Sequence, residues 1–358
     1  MSLWKATFGD SSEYISLVFD RYFNPENIAY HEAEGKIAAS LLGIPYTFVS
    51  SGNPDLKGLY LCGLATLPAL RHNGIMTSLL QEINERAEKS GYDFTFLIPS
   101  GEGIRRYYRD RGYHDAFYKK KEYYVKGHDF KGSFDLELKV FDGEEKTAVI
   151  EFLEEYGNRP LQRKNSYLLR HTKEDWGTVL DDALISNDKI YIGYNDNAIC
   201  GLAFCKMPDK VIDIRLLVGV SEQVRNSLLG KIAKLNSERN LTLVKDLEDA
   251  LEHDDNKQLW SPFYVQNNGK TAEYEDVSVI EAPYNESLNA FAMGMINIFD
   301  IKTLLEKTGY ANFKNLDVYS EEEIKRLVLR KPVGHKADAL EKILDLPELN
   351  FSMSMMLE

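Results

Sequence analysis

Residues 59–115 read LYLCGLATLPALRHNGIMTSLLQEINERAEKSGYDFTFLIPSGEGIRRYYRDRGYHD, and the order of patterns within them decides the fold. Leu59 to Thr66 is an apolar run of strand length, ended by Pro68. Arg71-His72-Asn73-Gly74-Ile75-Met76 follows as a turn, and then an amphipathic helix with Met76, Leu79, Leu80, Ile83 and Ala87 on one face. Lys89-Ser90-Gly91 places a cation in the last turn and a glycine stop behind it. Phe94 to Ile98 is a short second strand, and the turn Pro99 to Gly103 opens a helix that carries Tyr107 and Tyr108.

A glycine turn at a helix start leaves backbone N–H groups unpaired, with the positive end of the helix dipole behind them. Such a turn suits a phosphate. Gly74 removes a Cβ from the path of approach, and Arg71 adds a charge-assisted donor at the rim. An Arg-x-x-Gly turn is also an ordinary strand-to-helix connection, and the residues alone leave both readings open.

The order strand, Arg71-x-x-Gly74, helix, strand, then Tyr107-Tyr108-Arg109-Asp110-Arg111-Gly112-Tyr113, resembles the acetyl-CoA-binding core of the GNAT acyltransferase superfamily. The resemblance implies that acetyl-CoA is the cofactor and that Arg71, His72, Asn73, Gly74, Ile75 and Met76 cradle its pyrophosphate. It implies that the backbone of Leu64, Ala65 and Thr66 pairs with the pantetheine arm, one N–H polarising the acetyl carbonyl. Tyr108, four residues before Gly112-Tyr113, becomes the general acid toward the leaving thiolate. Met76 stands where that family usually carries glycine or alanine. For a general base the sequence offers Glu32, His72 and the C-terminal carboxylate of Glu358, and a bound water is a fourth route.

At 358 residues the chain is long enough for about two to three domains. A formal net charge of −13 argues against nucleic acid as a main partner and leaves room for a cationic amine. Cys62, Cys200 and Cys205 lie in apolar, strand-like runs without a Cys-x-x-Cys or Cys/His cluster, so they are expected as free thiols, with no metal site. No apolar run reaches the length of a membrane span and no signal pattern follows Met1, which makes the cytoplasm the expected compartment.

Around the core stretch the sequence predicts an N-terminal helix over 11–23, strands over 28–32, 36–41 and 46–51, and a hairpin turn at Glu34-Gly35. The resembled fold begins with a strand before its first helix, so either the chain lacks that strand or another segment replaces it. A first domain over 1–130 would end after an aromatic-rich strand, with Lys119-Lys120-Lys121 as a solvated edge. Residues 131–278 repeat the outline, with hairpin signal Asn195-Asp196-Asn197 and a helix capped by Ser221. Their turn Gly219-Val220-Ser221-Glu222-Gln223 lacks the Arg-x-x-Gly pattern and sets Glu222 where a phosphate would be repelled. This predicts a second, degenerate GNAT-like domain without coenzyme A.

Residues 279–358 read as a small α+β domain: a β-rich run 293–301, helices at 302–307, from Ser320 and at 337–346, and a methionine-rich tail. The whole order resembles the tandem-GNAT proteins of the enhanced intracellular survival type, whose third domain is sterol-carrier-like and whose C-terminal carboxylate is the base; here that group belongs to Glu358. The expected class is α+β, two GNAT folds plus a C-terminal domain. The expected activity is N-acetylation of a small-molecule or peptide amine, the alternative a coenzyme A or small-molecule binding module without turnover. The tail and edge strands offer surfaces for a homo-oligomer.

Overall fold

Glu34 and Gly35 both take left-handed backbone, with φ of 53° and 71°, the geometry of a tight hairpin turn whose twist matches its strands. They join β1 (Ile28–Ala33) to β2 (Lys36–Val49), which pairs antiparallel with β3 (Leu56–Thr66). The stretches expected as separate strands over 36–41 and 46–51 are one strand, because Leu42, Gly43 and Ile44 continue the ladder opposite Cys62, Leu61 and Tyr60. The computed structural model describes residues 1–158, 166–246, 284–285, 290–310, 316, 319–329 and 350–352.

Two helices precede the hairpin. α1 (Ser2–Phe8), which the sequence pattern did not reveal, is closed by Gly9 at φ 77°. α2 (Ser12–Tyr22) starts where the Ser11 hydroxyl accepts from Tyr14 N, and it buries Ile15 and Val18. After β3 come α3 (Ile75–Lys89), β4 (Phe94–Leu97), α4 (Glu102–Arg109) and β5 (His114–Tyr124). The chain continues through β6 (Glu137–Val140), α5 (Lys146–Tyr156), β7 (Ser166–Arg170), α6 (Lys173–Ile185), β8 (Lys189–Asn195) and β9 (Ala198–Lys206). β10 (Val211–Gly219), α7 (Glu222–Leu235) and β11 (Asn240–Asp246) follow. β12 (Tyr284–Asn285), β13 (Ala290–Ile298), helices at Ile301–Lys307 and Glu321–Val328, and β14 (Asn350–Ser352) complete the described elements.

All the described strands belong to one mixed sheet, ordered β14-β7-β2-β3-β4-β13-β5-β11-β10-β9-β8-β6, with β1 beside β2 and β12 beside β13. This is the α+β architecture expected from the sequence. Alternation divides the first half of the sheet between two cores. Tyr60, Phe94 and Phe96 face a cluster with α2 residues Ile15 and Val18, whereas Leu59, Leu61 and Leu97 face one with α3 residues Leu79, Leu80 and Ile83.

Two expectations meet a different arrangement, and another, left open between two alternatives, gains a candidate. First, the described part of 279–358 does not stand apart. β13 runs between β4 and β5, pairing Met295–Ile298 with Leu97–Phe94 and Ala290–Ile296 with Lys120–His114. Ile301, Leu304, Leu305 and Ile324 are buried in the α2-side core. The physical reason is that β4 and β5 share no ladder, so each offers an edge that a third strand can satisfy. The helix expected at 337–346 and the tail Met353 to Glu358 lie outside the described residues. Second, the strand missing ahead of α1 has a candidate replacement: β7, far along the chain, pairs with Thr47–Val49 of β2. Third, Lys119-Lys120-Lys121 is not a solvated edge. β11 takes the far side of β5, so Lys119 and Lys120 are buried, and Lys121 Nζ lies 3.3 Å from Asp213.

One irregularity in β3 shapes everything beside it. Ser40 pairs with Ala65 and Leu42 with Cys62, so Gly63 and Leu64 together stand opposite Leu41. This is a β-bulge. Gly63 sits at φ 60°, and a Cβ there would come within 2.3 Å of the Trp4 ring. That ring is itself held, since Trp4 Nε1 donates to Asp10 Oδ2 at 2.6 Å. Gly63→Ala should therefore destabilise the chain by about 3 kcal/mol, from strained backbone and overpacking together. A urea midpoint equal to wild type would show that the bulge accommodates a side chain.

A second outcome concerns pH. Burial holds the carboxyl of Asp182, in the last turn of α6, up at about 6, with Asp188 and Asp10 adding to it and Ser186 and Lys206 opposing. The folded chain binds this proton more tightly than the unfolded chain, so the contribution is full below about 3.8 and is lost as pH rises through about 6. Stability of Asp182→Asn, measured by urea titration, should fall less across that window than that of wild type; parallel profiles would contradict the burial of Asp182.

Candidate active site

The ladder between β3 and β4 covers only Gly58–Tyr60 opposite Phe94–Phe96. Beyond it β3 keeps β2 on one side, through Thr66 opposite Ala39, and has no β4 partner on the other. Unlike a sheet interior, this stretch presents backbone donors and acceptors to a gap. Leu64, Ala65 and Thr66 lie on that open edge, Ala65 buried and its neighbours half-buried.

At the end of β3 the chain makes a 3-10 turn over Pro68–Leu70 and enters the Arg71–Gly74 loop. Arg71 Nε donates to Thr66 O at 3.1 Å, tying the loop to the strand. His72 and Gly74 both take left-handed backbone, at φ 66° and 77°. No side chain caps α3 and no acidic residue stands in its first turn. Helix geometry therefore leaves the N–H groups of Ile75, Met76 and Thr77 without an intrahelical carbonyl. A Cβ on Gly74 would meet nothing within 4 Å, so the space beside the turn is open. Arg71, His72, Asn73 and Gly74 are exposed, whereas Ile75 and Met76 pack half-buried against the α3-side core.

The corresponding helix start in the second half of the chain differs chemically. α7 is capped by the Ser221 side chain, which accepts from Val224 N at 3.3 Å, and Glu222 stands in its first turn. One orphan donor is satisfied there and the dipole already faces a carboxylate.

α4 delivers Tyr108 to the α3 side of the gap, buried against Leu61, Leu97, Tyr113 and Met295. Fully buried Arg105 fixes the helix through an ion pair with Asp115, and Arg109 bridges Glu102 at 2.6 Å and Asp115 at 3.0 Å. Gly112, at φ 81°, reverses the chain so that Tyr113 returns beneath Tyr108, with ring centroids 5.7 Å apart. Burial pushes the Tyr108 phenol well above its ordinary value, with Tyr113 and Tyr107 adding and the Arg111 cation opposing. Burial also lifts Tyr113, to about 12, while hydrogen bonds with Thr95 at 2.9 Å and Asn84 at 3.3 Å act against it.

A further set of contacts escapes the sequence pattern. Thr77, in the first turn of α3, shares a hydrogen bond of 3.1 Å with the Tyr107 hydroxyl, and its Oγ1 also accepts from Arg111. Nothing in the spacing of Thr77 and Arg111 marks two residues 34 apart as partners. Gly63, by contrast, carried a signal: a glycine inside a strand pattern marks a bulge or a close approach.

The Leu64–Thr66 edge, the Arg71–Met76 loop and Tyr108 thus lie around one gap, and His72, one of the expected bases, belongs to that loop. His72 is an exposed loop residue, Glu32 is exposed on β1 opposite Ile37, and Glu358 lies outside the described residues. Cys62 is a free, half-buried thiol raised to about 12 by burial, and Cys200 and Cys205 are buried. Among the described residues no group of His, Cys, Asp and Glu could hold a metal ion, and no helix is long and apolar enough to cross a membrane.

No curated protein sequence matches the chain. Residues 1–116 match the family described as acetyltransferase (GNAT) domain. Among solved structures, a probable N-acyltransferase of Enterococcus faecalis V583 is similar with a TM-score of 0.59 at 14% identity, over 86% of this chain and 71% of that one. A GCN5-related N-acetyltransferase of Anabaena variabilis gives 0.57 at 16% identity, over 86% and 71%. Eis1 of Mycobacterium abscessus gives 0.52 at 14%, over 70% of this chain and 64% of its own. At such identities the likeness is one of fold. Residues 1–116 carry the match to a GNAT acetyltransferase domain, and the fold likeness runs well beyond them.

Proposed function

We propose that this chain is an acetyl-CoA-dependent N-acetyltransferase acting on an amine of a small molecule or peptide. The observation that carries this reading is the convergence on the β3–β4 gap of three features: the uncapped start of α3, the open edge of β3 and the buried Tyr108 phenol. The residues present fit the cofactor: free N–H groups with Arg71 beside them suit phosphate, and the open edge suits the amide-bearing pantetheine arm. Acetyl-CoA, when bound, supplies an activated acyl group.

The chain's own contribution is orientation and proton control. Leu64, Ala65 and Thr66 line the arm, and an N–H of that edge polarises the carbonyl. Tyr108 holds a proton at its hydroxyl for the departing thiolate, and its raised pKa keeps that proton in place throughout the neutral range. Direct attack by the amine needs no covalent enzyme adduct, in keeping with a Cys62 thiol that burial holds protonated. The net charge of −13 suits a cationic acceptor. We read residues 131–278 as a second, degenerate copy in which the capped, acid-bearing start of α7 forgoes the cofactor. The exposure of both Glu32 and His72 favours a second reading, in which the chain binds coenzyme A without turnover.

Calorimetric titration with acetyl-CoA, followed by thiol release with a panel of amines, separates the readings. Binding with amine-dependent release is expected; binding without release on any amine favours the second, and absence of binding removes both. Tyr108→Phe should lower turnover about a hundredfold or more with little change in affinity, and unchanged turnover would retire the acid assignment. Gly74→Val should weaken acetyl-CoA about tenfold or more, because the left-handed backbone and the open space are both lost. Undiminished affinity would place the phosphates elsewhere.

A further inference from the structure

Of the arginines around α4, Arg106 is exposed and Arg105 and Arg109 are paired, whereas Arg111 is half-buried without a carboxylate partner among the described residues. Arg105 and Arg109 spend their charge on Glu102 and Asp115. Arg111 is nonetheless held as firmly as they are. Its guanidinium carbon lies 3.5 Å from the centroid of the Tyr107 ring. Its Nη1 donates to Tyr107 O at 2.6 Å, and its Nε and Nη2 donate to Thr77 Oγ1 at 3.1 Å and 2.9 Å.

A guanidinium has five N–H donors in a planar fork, and these contacts occupy one on each nitrogen. Two donors are left over, one on each terminal nitrogen. The side chain is half-buried, so part of it stays open to solvent and to dissolved ions. Thr77 is the third residue of α3, whose own N–H is among the donors left without an intrahelical carbonyl. The latch therefore carries an unneutralised cation to the helix start that has no cap. Arg71 stands at the other end of the same loop.

We propose that Arg111 is a phosphate-binding residue of this site: its two spare donors and fixed charge hold the cofactor phosphates on the side of the α3 start opposite Arg71. The inference rests on the acetyl-CoA reading given above. It also ties the two halves of the site together. Arg111 belongs to the turn that follows Tyr108, and its cation acts on that phenol. Anion binding at Arg111 draws α3 and α4 onto one ligand through Thr77 and Tyr107.

A latch with a purely structural role would look the same in the unliganded chain, so the experiment must separate charge from geometry. Coenzyme A affinity is measured by calorimetry for wild type and for Arg111→Ala, Arg111→Lys and Thr77→Val, at low salt and at about 0.5 M, where exposed charges are strongly screened. The proposal expects Arg111→Ala to lose about tenfold or more at low salt, a deficit that shrinks at high salt. Arg111→Lys keeps the charge but not the stacked fork, and its affinity should fall between those of wild type and Arg111→Ala. Thr77→Val breaks the latch, keeps the charge and should lose less than Arg111→Ala. Equal losses in all three variants, insensitive to salt, would make Arg111 a structural latch and overturn the proposal, as would undiminished affinity in Arg111→Ala. Failure of wild type itself to bind coenzyme A would remove the cofactor reading, an outcome distinct from either.

Discussion

The parting of β3 from β4 after Tyr60 is the constraint on which the rest of the structure depends. A sheet interior normally satisfies every backbone N–H and C=O within its ladders. Here the bulge at Gly63 turns β3 away, and the indole of Trp4 fills the place a side chain would need. From Leu61 onward β3 is an interior strand with one edge open. The start of α3 and the Tyr108-bearing α4 come directly after the two strands that part, so both reach the mouth of the gap by short connections. Open α/β sheets tend to bind ligands at the carboxyl ends of strands that separate in this way.

Such a gap has to be braced from outside. β13, drawn from nearly 200 residues further along the chain than β4, supplies the missing partner to both β4 and β5 and buries Met295, Ile296 and Ile298 in the two cores. On the other side β11 makes β5 an interior strand, which is why two lysines of a triple run end up buried. The first and second halves are therefore joined by ladder hydrogen bonds as well as by side-chain contacts such as Arg21 with Glu174 and Tyr22 with Asp175.

The chain presents an internal control for what makes a helix start receptive to an anion. α3 and α7 both follow a strand that has just parted from its parallel neighbour, and both carry a bulged strand before them. One begins with a left-handed glycine, no cap and no acid; the other begins with a serine cap and a glutamate. The dipole is common to both, so the difference in fitness for phosphate lies in a few side chains. Arg111 sharpens the contrast, because it brings charge to the start of α3 from the turn after α4.

Much of this was legible in the residues. The loop Arg71 to Gly74, the faces of α2, α3 and α7, and the turns at Glu34-Gly35 and Asp196-Asn197 all follow from local periodicity, capping and turn chemistry. These act over a few residues, so they are written directly in the order of the chain. The strand partners were not. That β13 enters between β4 and β5, that β7 extends the edge beside β2, and that Lys119 and Lys120 are buried depend on which edges remain unsatisfied once the sheet forms. The pairing of Thr77 with Arg111 depends likewise on how α3 and α4 dock. Local sequence sets what each segment is, whereas burial and backbone pairing, summed over the whole sheet, decide what stands beside it.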